Sequence, residues 1–441
     1  MNDTRHRHLK GYNEAVCKLN EGLIRTELPA GVKKPPPVRW RARINEMKRF
    51  LEALGNPQKS LFIAAVCGTS GKGSVAVGIS SILRSFGLRT GLHVSPYLQS
   101  ATEKICIDDV LVSGLEFARL VDWVLPVAGP LVNPFTPASI HGMASIAIAL
   151  EAFRRAGTDV VIFEAGAGAR YDLSSVIEPQ LVVITGVSRD HVKSLGPSIE
   201  DIAFHKSGMI RRGVHTVSIN QPHVSEAVSR QTAASGAVPP VFSKPGPDWR
   251  TSNRNLATMA AGKILELMGR KPNPDCSDSG EADFRLPGRL EFMPRKKNGP
   301  VIIVDGAHNG EKISAVLSVV SRMKKKGRNR LVTGFLSTKK HRSMTHLLSR
   351  WADDIITTSV RVYGKQGMDP ADLARIFNDA SKHAKCIRDP AEAVETALDE
   401  ASGDDVILVT GSMYLAGDVR SMWYPTEEIV FQQTPWPDIA K

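Results

Sequence analysis

The residues with the clearest chemical potential lie together at positions 68 to 74, Gly68-Thr69-Ser70-Gly71-Lys72-Gly73-Ser74. Glycines let backbone N–H groups turn toward phosphate oxygens, and a helix that follows adds the positive end of its dipole. Lys72 can reach terminal phosphates, and the Ser74 hydroxyl suits Mg2+. The pattern is a shortened GxxGKGS form of the GxxxxGK[ST] loop. A second set is spread more widely. Glu164 ends one predicted strand, Asp190-His191 follows another, and Lys206 lies on the helix after that. Strand carboxyl ends of an open parallel sheet face one crevice, so Glu164 and His191 can reach the ion that Ser74 reaches. Taken singly, these residues also read as a cap, a structural histidine and a solvated lysine. A third group, Asp305-Gly306-Ala307-His308-Asn309, directly follows a strand. An aspartate there can hydrogen-bond a ribose or orient a transferred group, although Asp-Gly and His-Asn are also ordinary turn residues.

Elements that could position these groups alternate along the chain. Apolar residues at three-to-four spacing predict a helix over 44–54, stopped by Gly55-Asn56-Pro57. Residues 60–66 read as a buried strand leading through the glycine loop into a helix over 75–86. Strands are expected at 88–94, 159–163 and 181–185, with a helix over 143–155. Such alternation implies βαβ units, a parallel sheet and helices on both faces. Residues 269–286 have linker composition, with two prolines and two glycines. Beyond them the pattern restarts, with strands at 301–304, 330–333, 354–357 and 406–409 and helices at 312–324 and 391–401. The expected organisation is a phosphate-loop α/β domain over 1–283 and a smaller Rossmann-like α/β domain over 284–441. The tail from Tyr424 reads as a surface segment.

The chain's 441 residues and 42% hydrophobic content exclude disorder as its main theme. Its start is polar, without the apolar core of a secretory signal, and no stretch approaches the length of a membrane span, so a cytoplasmic protein is expected. The five cysteines, Cys17, Cys67, Cys106, Cys276 and Cys386, form no CxxC pair, which disfavours disulfides and zinc sites and suggests mostly structural thiols. The net charge of +12 includes basic runs at 295–297, 324–326 and 339–342. With aromatics at 6% and none interleaved with those runs, small anionic substrates are a better expectation than nucleic acid.

Together the motifs resemble the Mur ligase superfamily of ATP-dependent amide ligases, and within it most closely the folylpolyglutamate synthase and dihydrofolate synthase family. The likeness runs over nearly the whole chain, from Tyr12-Asn-Glu-Ala15 and Leu54-Gly-Asn-Pro-Gln58 through Ser95-Pro-Tyr-Leu98, Glu164-Ala-Gly-Ala-Gly-Ala-Arg170, His205-Lys-Ser-Gly208 and Leu286-Pro-Gly-Arg289 to Val409-Thr-Gly-Ser-Met-Tyr-Leu415. The resemblance implies a P-loop ATPase domain followed by a Mur-type C-terminal domain. It implies that Gly68 to Ser74 hold ATP phosphates, and that Ser74, Ser95, Glu164 and His191 form a Mg2+ set. Lys206 matches a lysine that becomes N6-carboxylysine, Asn255 an adenine contact, Arg289 and Asp305 nucleotide contacts from the second domain, and His308 a position near the incoming amino acid. The implied reaction activates a carboxylate as an acyl phosphate, which the amine of an amino acid, glutamate first among candidates, then captures. The two domains must meet to exclude water, and a mobile linker near 270–286 suits such closure. The partners implied are a small carboxylate acceptor and an amino acid, with no nucleic acid or membrane, in a monomer or small homo-oligomer.

The chain also departs from the family pattern. Ser70 stands for Asn, Tyr97 for His, Lys104 for Arg, Ala169 for Gly, Ser174-Ser175 for Thr-Asn, and Arg189 for an apolar residue. The ATP machinery is expected to be intact and the acceptor side altered. A relative that joins an amino acid to a non-folate carboxylate is therefore a second reading, and a nucleotide-dependent switch a third.

Overall fold

The computed structural model describes residues 2–23, 36–132, 138–270, 284–323, 326–337, 341–362, 366–379 and 383–439. The linker composition at 271–283, Cys276, and the basic residues 324–325 and 339–340 fall outside them. Contacts divide the chain into two compact units, Met1–Tyr97 with Ala101–Phe284, and Leu98–Ser100 with Arg285–Lys441.

In chain order the first unit comprises α1 (Asn2–Leu23), α2 (Pro36–Ala53), β1 (Ile63–Cys67), α3 (Lys72–Ser85), β2 (Thr90–His93), β3 (Cys106–Ile107), β4 (Val110–Leu111), α4 (Gly114–Ala128), α5 (Ile140–Ala156) and β5 (Val160–Glu164). It continues with β6 (Leu181–Ile184), α6 (Val192–Leu195), α7 (Ile199–Lys206), β7 (His215–Ile219), α8 (Pro222–Ser235), β8 (Val241–Ser243) and α9 (Trp249–Leu267). Its eight-stranded sheet has the order β4-β3-β2-β5-β1-β6-β7-β8. Strand β1 pairs in parallel with β5 and β6, its five residues all buried, which is why they read as one apolar run. The short β3 and β4 pair antiparallel at one edge. Helix α3 starts at Lys72, earlier than its apolar periodicity, because Gly71 at φ +82° forms its N-cap.

The second unit comprises β9 (Glu291–Phe292), β10 (Val301–Val304), α10 (Gly310–Val320), β11 (Asn329–Thr333), α11 (His341–Trp351), β12 (Asp354–Thr357), α12 (Pro370–Asp379), β13 (Ala384–Cys386), α13 (Pro390–Asp399), β14 (Val406–Thr410), α14 (Met413–Arg420) and α15 (Thr426–Gln432). The sheet order is β13-β12-β11-β14-β10-β9, parallel except for the β9–β10 pair. The tail from Tyr424 is not the surface segment expected. Ile429 and Val430 of α15 are buried, and the Trp436 indole N–H donates to Glu291 at 2.9 Å, long-range contacts that the short tail does not encode locally. Among the described residues no helix is long and apolar enough to cross a membrane.

Candidate active site

Parallel registration places the chemistry of the first unit. Val66 of β1 is level with Glu164 of β5, and Cys67 with Ile184 of β6, so the carboxyl ends of three strands bring Gly68, Glu164 and Thr185 to one end of the sheet. The glycine loop is held from several sides. The Thr69 amide donates to Gly186 O at 2.9 Å, and the Thr69 hydroxyl donates to Ser188 O while accepting from the Ser188 amide, both at 3.2 Å. Thr185 Oγ1 donates to Ser70 O at 2.8 Å. A Cβ at Gly68, which has φ +143°, would lie 1.8 Å from that same hydroxyl, so only glycine permits this approach.

Glu164 is 5% exposed. One carboxylate oxygen lies 3.5 Å from Lys72 Nζ and the other accepts from the Ser95 amide at 2.9 Å. Lys72, Ser95 and Glu164 are thus brought together, with Ser74 on the first turn of α3. Lys206 is not the solvated helix lysine that its sequence position suggests. It is 2% exposed, and its Nζ donates to Gly68 O at 2.7 Å and to Ala167 O at 2.9 Å. Burial follows from the last turn of α7 running beneath the glycine loop, a tertiary contact that no local pattern encodes. His191 is an exposed residue at φ +52°, its Nε2 3.9 Å from an Asp190 oxygen. Asn255 is exposed on α9, whereas the side chain of Asn253, two positions earlier, abuts Gly71: a Cβ there would lie 2.6 Å from Asn253 Oδ1. Thr185 and Asn253 escaped sequence reasoning. The spacing of Thr185 just past a strand was the only available signal for it.

Two observations at the loop fit a bound anion such as a phosphate. Among the described residues no side chain caps the N-terminus of α3, leaving its dipole end and first amides to a ligand, and the buried Ser70 Oγ has no hydrogen-bond partner. Among the described residues no three His, Cys, Asp or Glu converge as a metal cage. Glu164 and, on the first turn of α3, Ser74 are oxygen-bearing residues of the loop and its surroundings.

Beside this site, a cleft of the first unit is lined by Tyr97, Lys104, Phe117, His141 and Ser145 among others. The Lys104 ammonium sits 5.2 Å from the centre of the Tyr97 ring, and burial pushes it down to about 8. Burial and the Lys104 charge push His141 down to about 4. Two departures from the family pattern, Tyr97 and Lys104, therefore share one wall. A third, Ala169, holds φ +42°, the left-handed region that a glycine adopts without strain.

In the second unit, Arg289, Asp305 and His308 gather around the turn after β10. Asp305 is 5% exposed, and its two oxygens accept from the amides of Leu290 and Ala307, each at 2.7 Å. Burial pushes its carboxyl up, against the Arg289 charge and those two amides. Asp305 thus organises the turn that carries its neighbours. His308 Nδ1 meets Gly306 O at 2.8 Å and Nε2 meets Lys312 Nζ at 3.2 Å. A carbonyl only accepts and an ammonium only donates, which assigns the proton to Nδ1. Lys312, one helical turn on, was not anticipated.

The family model of the Mur ligase middle domain matches residues 66–235, and that of the Mur ligase glutamate ligase domain matches residues 288–413. The chain is 28% identical over 415 residues to the dihydrofolate synthase/folylpolyglutamate synthase of Bacillus subtilis, covering 86% of this chain and 94% of that one. It is 29% identical over 404 residues to the folylpolyglutamate synthase of Lacticaseibacillus casei, covering 84% and 92%. Its fold matches the Mycobacterium tuberculosis folylpolyglutamate synthase complexed with ADP at a TM-score of 0.80, with 22% identity over 95% of this chain and 99% of that one. With both domain models in order and the strand-loop-helix at the head of the first, the chain belongs to the Mur ligase superfamily.

Proposed function

We propose that the protein is an ATP-dependent acid–amino-acid ligase of the folylpolyglutamate and dihydrofolate synthase type, releasing ADP and phosphate as glutamate is joined to a carboxylate. The observation that carries this reading is the glycine loop at the end of β1, with Lys72 3.5 Å from Glu164 and the loop carbonyl of Gly68 held by Lys206. Backbone amides of the loop and the α3 N-terminus bind phosphate oxygens, and Lys72 neutralises charge that develops as the γ-phosphoryl group moves to the acceptor carboxylate. Glu164 and Ser74 would hold Mg2+, which supplies further charge neutralisation on the phosphates. His308, with Nδ1 held on Gly306 O and Nε2 on Lys312 Nζ, would position that ammonium for a carboxylate of the amino acid. The acceptor would enter the cleft walled by Tyr97 and Lys104, since Tyr97 lies two residues beyond Ser95.

The test is product analysis by mass spectrometry with ATP, Mg2+, glutamate and either dihydropteroate or a tetrahydrofolate. A product heavier by one glutamyl group, with ADP formed only when acid and amino acid are both present, supports the proposal. ATP hydrolysis indifferent to both would indicate a switch instead. One observation favours a second reading, a non-folate acceptor: Tyr97 and Lys104, both departures from the family pattern, line the cleft. Refusal of both pterins with turnover of another carboxylate would support it. A carbamate at Lys206, the finer reading of that residue, keeps one N–H and so gives up one of two carbonyl contacts. A carbamate resonance in NMR after addition of 13C-bicarbonate, absent in Lys206→Met, would establish it.

A further inference from the structure

Arg420, the last residue of α14, is a fully buried guanidinium with no exposed surface. Its Nε donates to both oxygens of Glu291 at 2.9 Å, its Nη1 to Gln99 Oε1 at 2.6 Å and its Nη2 to Pro435 O, and the group stacks 4.5 Å from the centre of the Tyr424 ring. The partners are as informative as the contacts. Glu291 also accepts from the amide of Gly288, at 2.7 Å, and so fixes the turn that presents Arg289. Gln99 belongs to Leu98–Ser100, the short stretch that is part of the second unit although the chain on either side of it belongs to the first. This strap is built in: Gln99 Nε2 donates to Tyr424 O at 2.8 Å, Leu98 and Ser100 are buried, and Gly417 of α14 lacks the Cβ that would lie 2.3 Å from Leu98 O.

We infer that Arg420 is a positioning residue, which through Gln99 anchors the strap leading back to Ser95 and through Glu291 anchors the turn bearing Arg289. Ser95 is four residues upstream of Gln99, and its amide is the one that binds Glu164. A slack strap would let that amide leave the carboxylate without any change to the glycine loop. The inference goes beyond the ligase reading and is tested without it. Arg420→Ala would strand the buried Glu291 and can fail for want of folding, so the informative variants are at Gln99.

Hydrogen exchange of the Ser95 amide in the resting full-length protein is the direct readout. In Gln99→Ala it should quicken at least tenfold, with ADP affinity and the exchange of the other amides of the first unit unchanged. Gln99→Glu, which keeps an oxygen for Arg420, should restore most of the protection. Wherever turnover is measurable, Gln99→Ala should lower kcat about tenfold and leave the KM for ATP within twofold. Unchanged exchange at Ser95, or exchange that rises equally across both units, overturns the inference whether or not the protein is a ligase. Loss of ligation with exchange unchanged would also count against it.

Discussion

The Lys206 ammonium braces the glycine loop through two backbone carbonyls, which makes Lys206 a residue of stability whatever part it takes in the proposed chemistry. Replacing it by Met keeps the apolar stem but leaves two buried carbonyls short of a donor, at a cost of about 2 kcal/mol. Urea unfolding should show that loss together with weaker ADP binding; an unchanged midpoint would mean that the amine contributes nothing to the fold. Thr185→Val isolates a smaller part of the same brace, the hydroxyl on Ser70 O, and should cost about 1 kcal/mol. Lys104 gives a prediction in pH. With its ammonium pushed down to about 8 by burial, it is charged below that value and can attract an acceptor carboxylate, and neutral above it. The KM for the acceptor should therefore rise as pH passes through about 8, and Lys104→Met should flatten that rise; the KM for ATP serves as the control.

At the scale of elements, strand β14 shows how a buried carboxylate sets acid sensitivity. Burial would raise Asp405, but Arg330 Nε at 2.8 Å, the Arg328 amide and the Ser402 hydroxyl and amide outweigh it and hold the group at about 2. A depressed carboxyl stabilises the fold above its unfolded value near 4 and loses that contribution as pH falls toward 2, about 2 kcal/mol in all. Asp405→Asn should remove that part of the acid dependence, measured as unfolding midpoints between pH 5 and pH 2.5. The same scale shows what the sequence made legible. Buried parallel strands announce themselves as unbroken apolar runs, so β1, β10 and β12 were placed within a few residues, and the glycine loop stood out because its conformation demands its composition. Two-residue strands such as β3 and β4 have too few positions to show a period. The choice between Asn253 and Asn255 turns on the rotation of α9 against the loop, and the burial of Lys206 on α7 passing beneath it; neither is a local property.

For the molecule as a whole, each unit carries its own core. Val182, Ile184, Ile202 and Val224 belong to one in the first, while Ile303, Phe335, Leu348 and Leu408 belong to one in the second. Separate cores of this size allow separate unfolding, so calorimetry should resolve two transitions rather than one. They should also answer to different ligands and conditions. The glycine loop, Lys72, Glu164 and Lys206 all lie in the first unit, so ADP at a hundred times its Kd should stabilise that transition by about 2.7 kcal/mol. Asp405 and Arg330 lie in the second, so lowering the pH from 5 to 3 should lower the other transition first. Lys72→Ala should abolish the ADP shift and leave the acid shift intact, and Asp405→Asn should do the reverse. A single transition that moves with both treatments would show instead that the two cores unfold as one cooperative body.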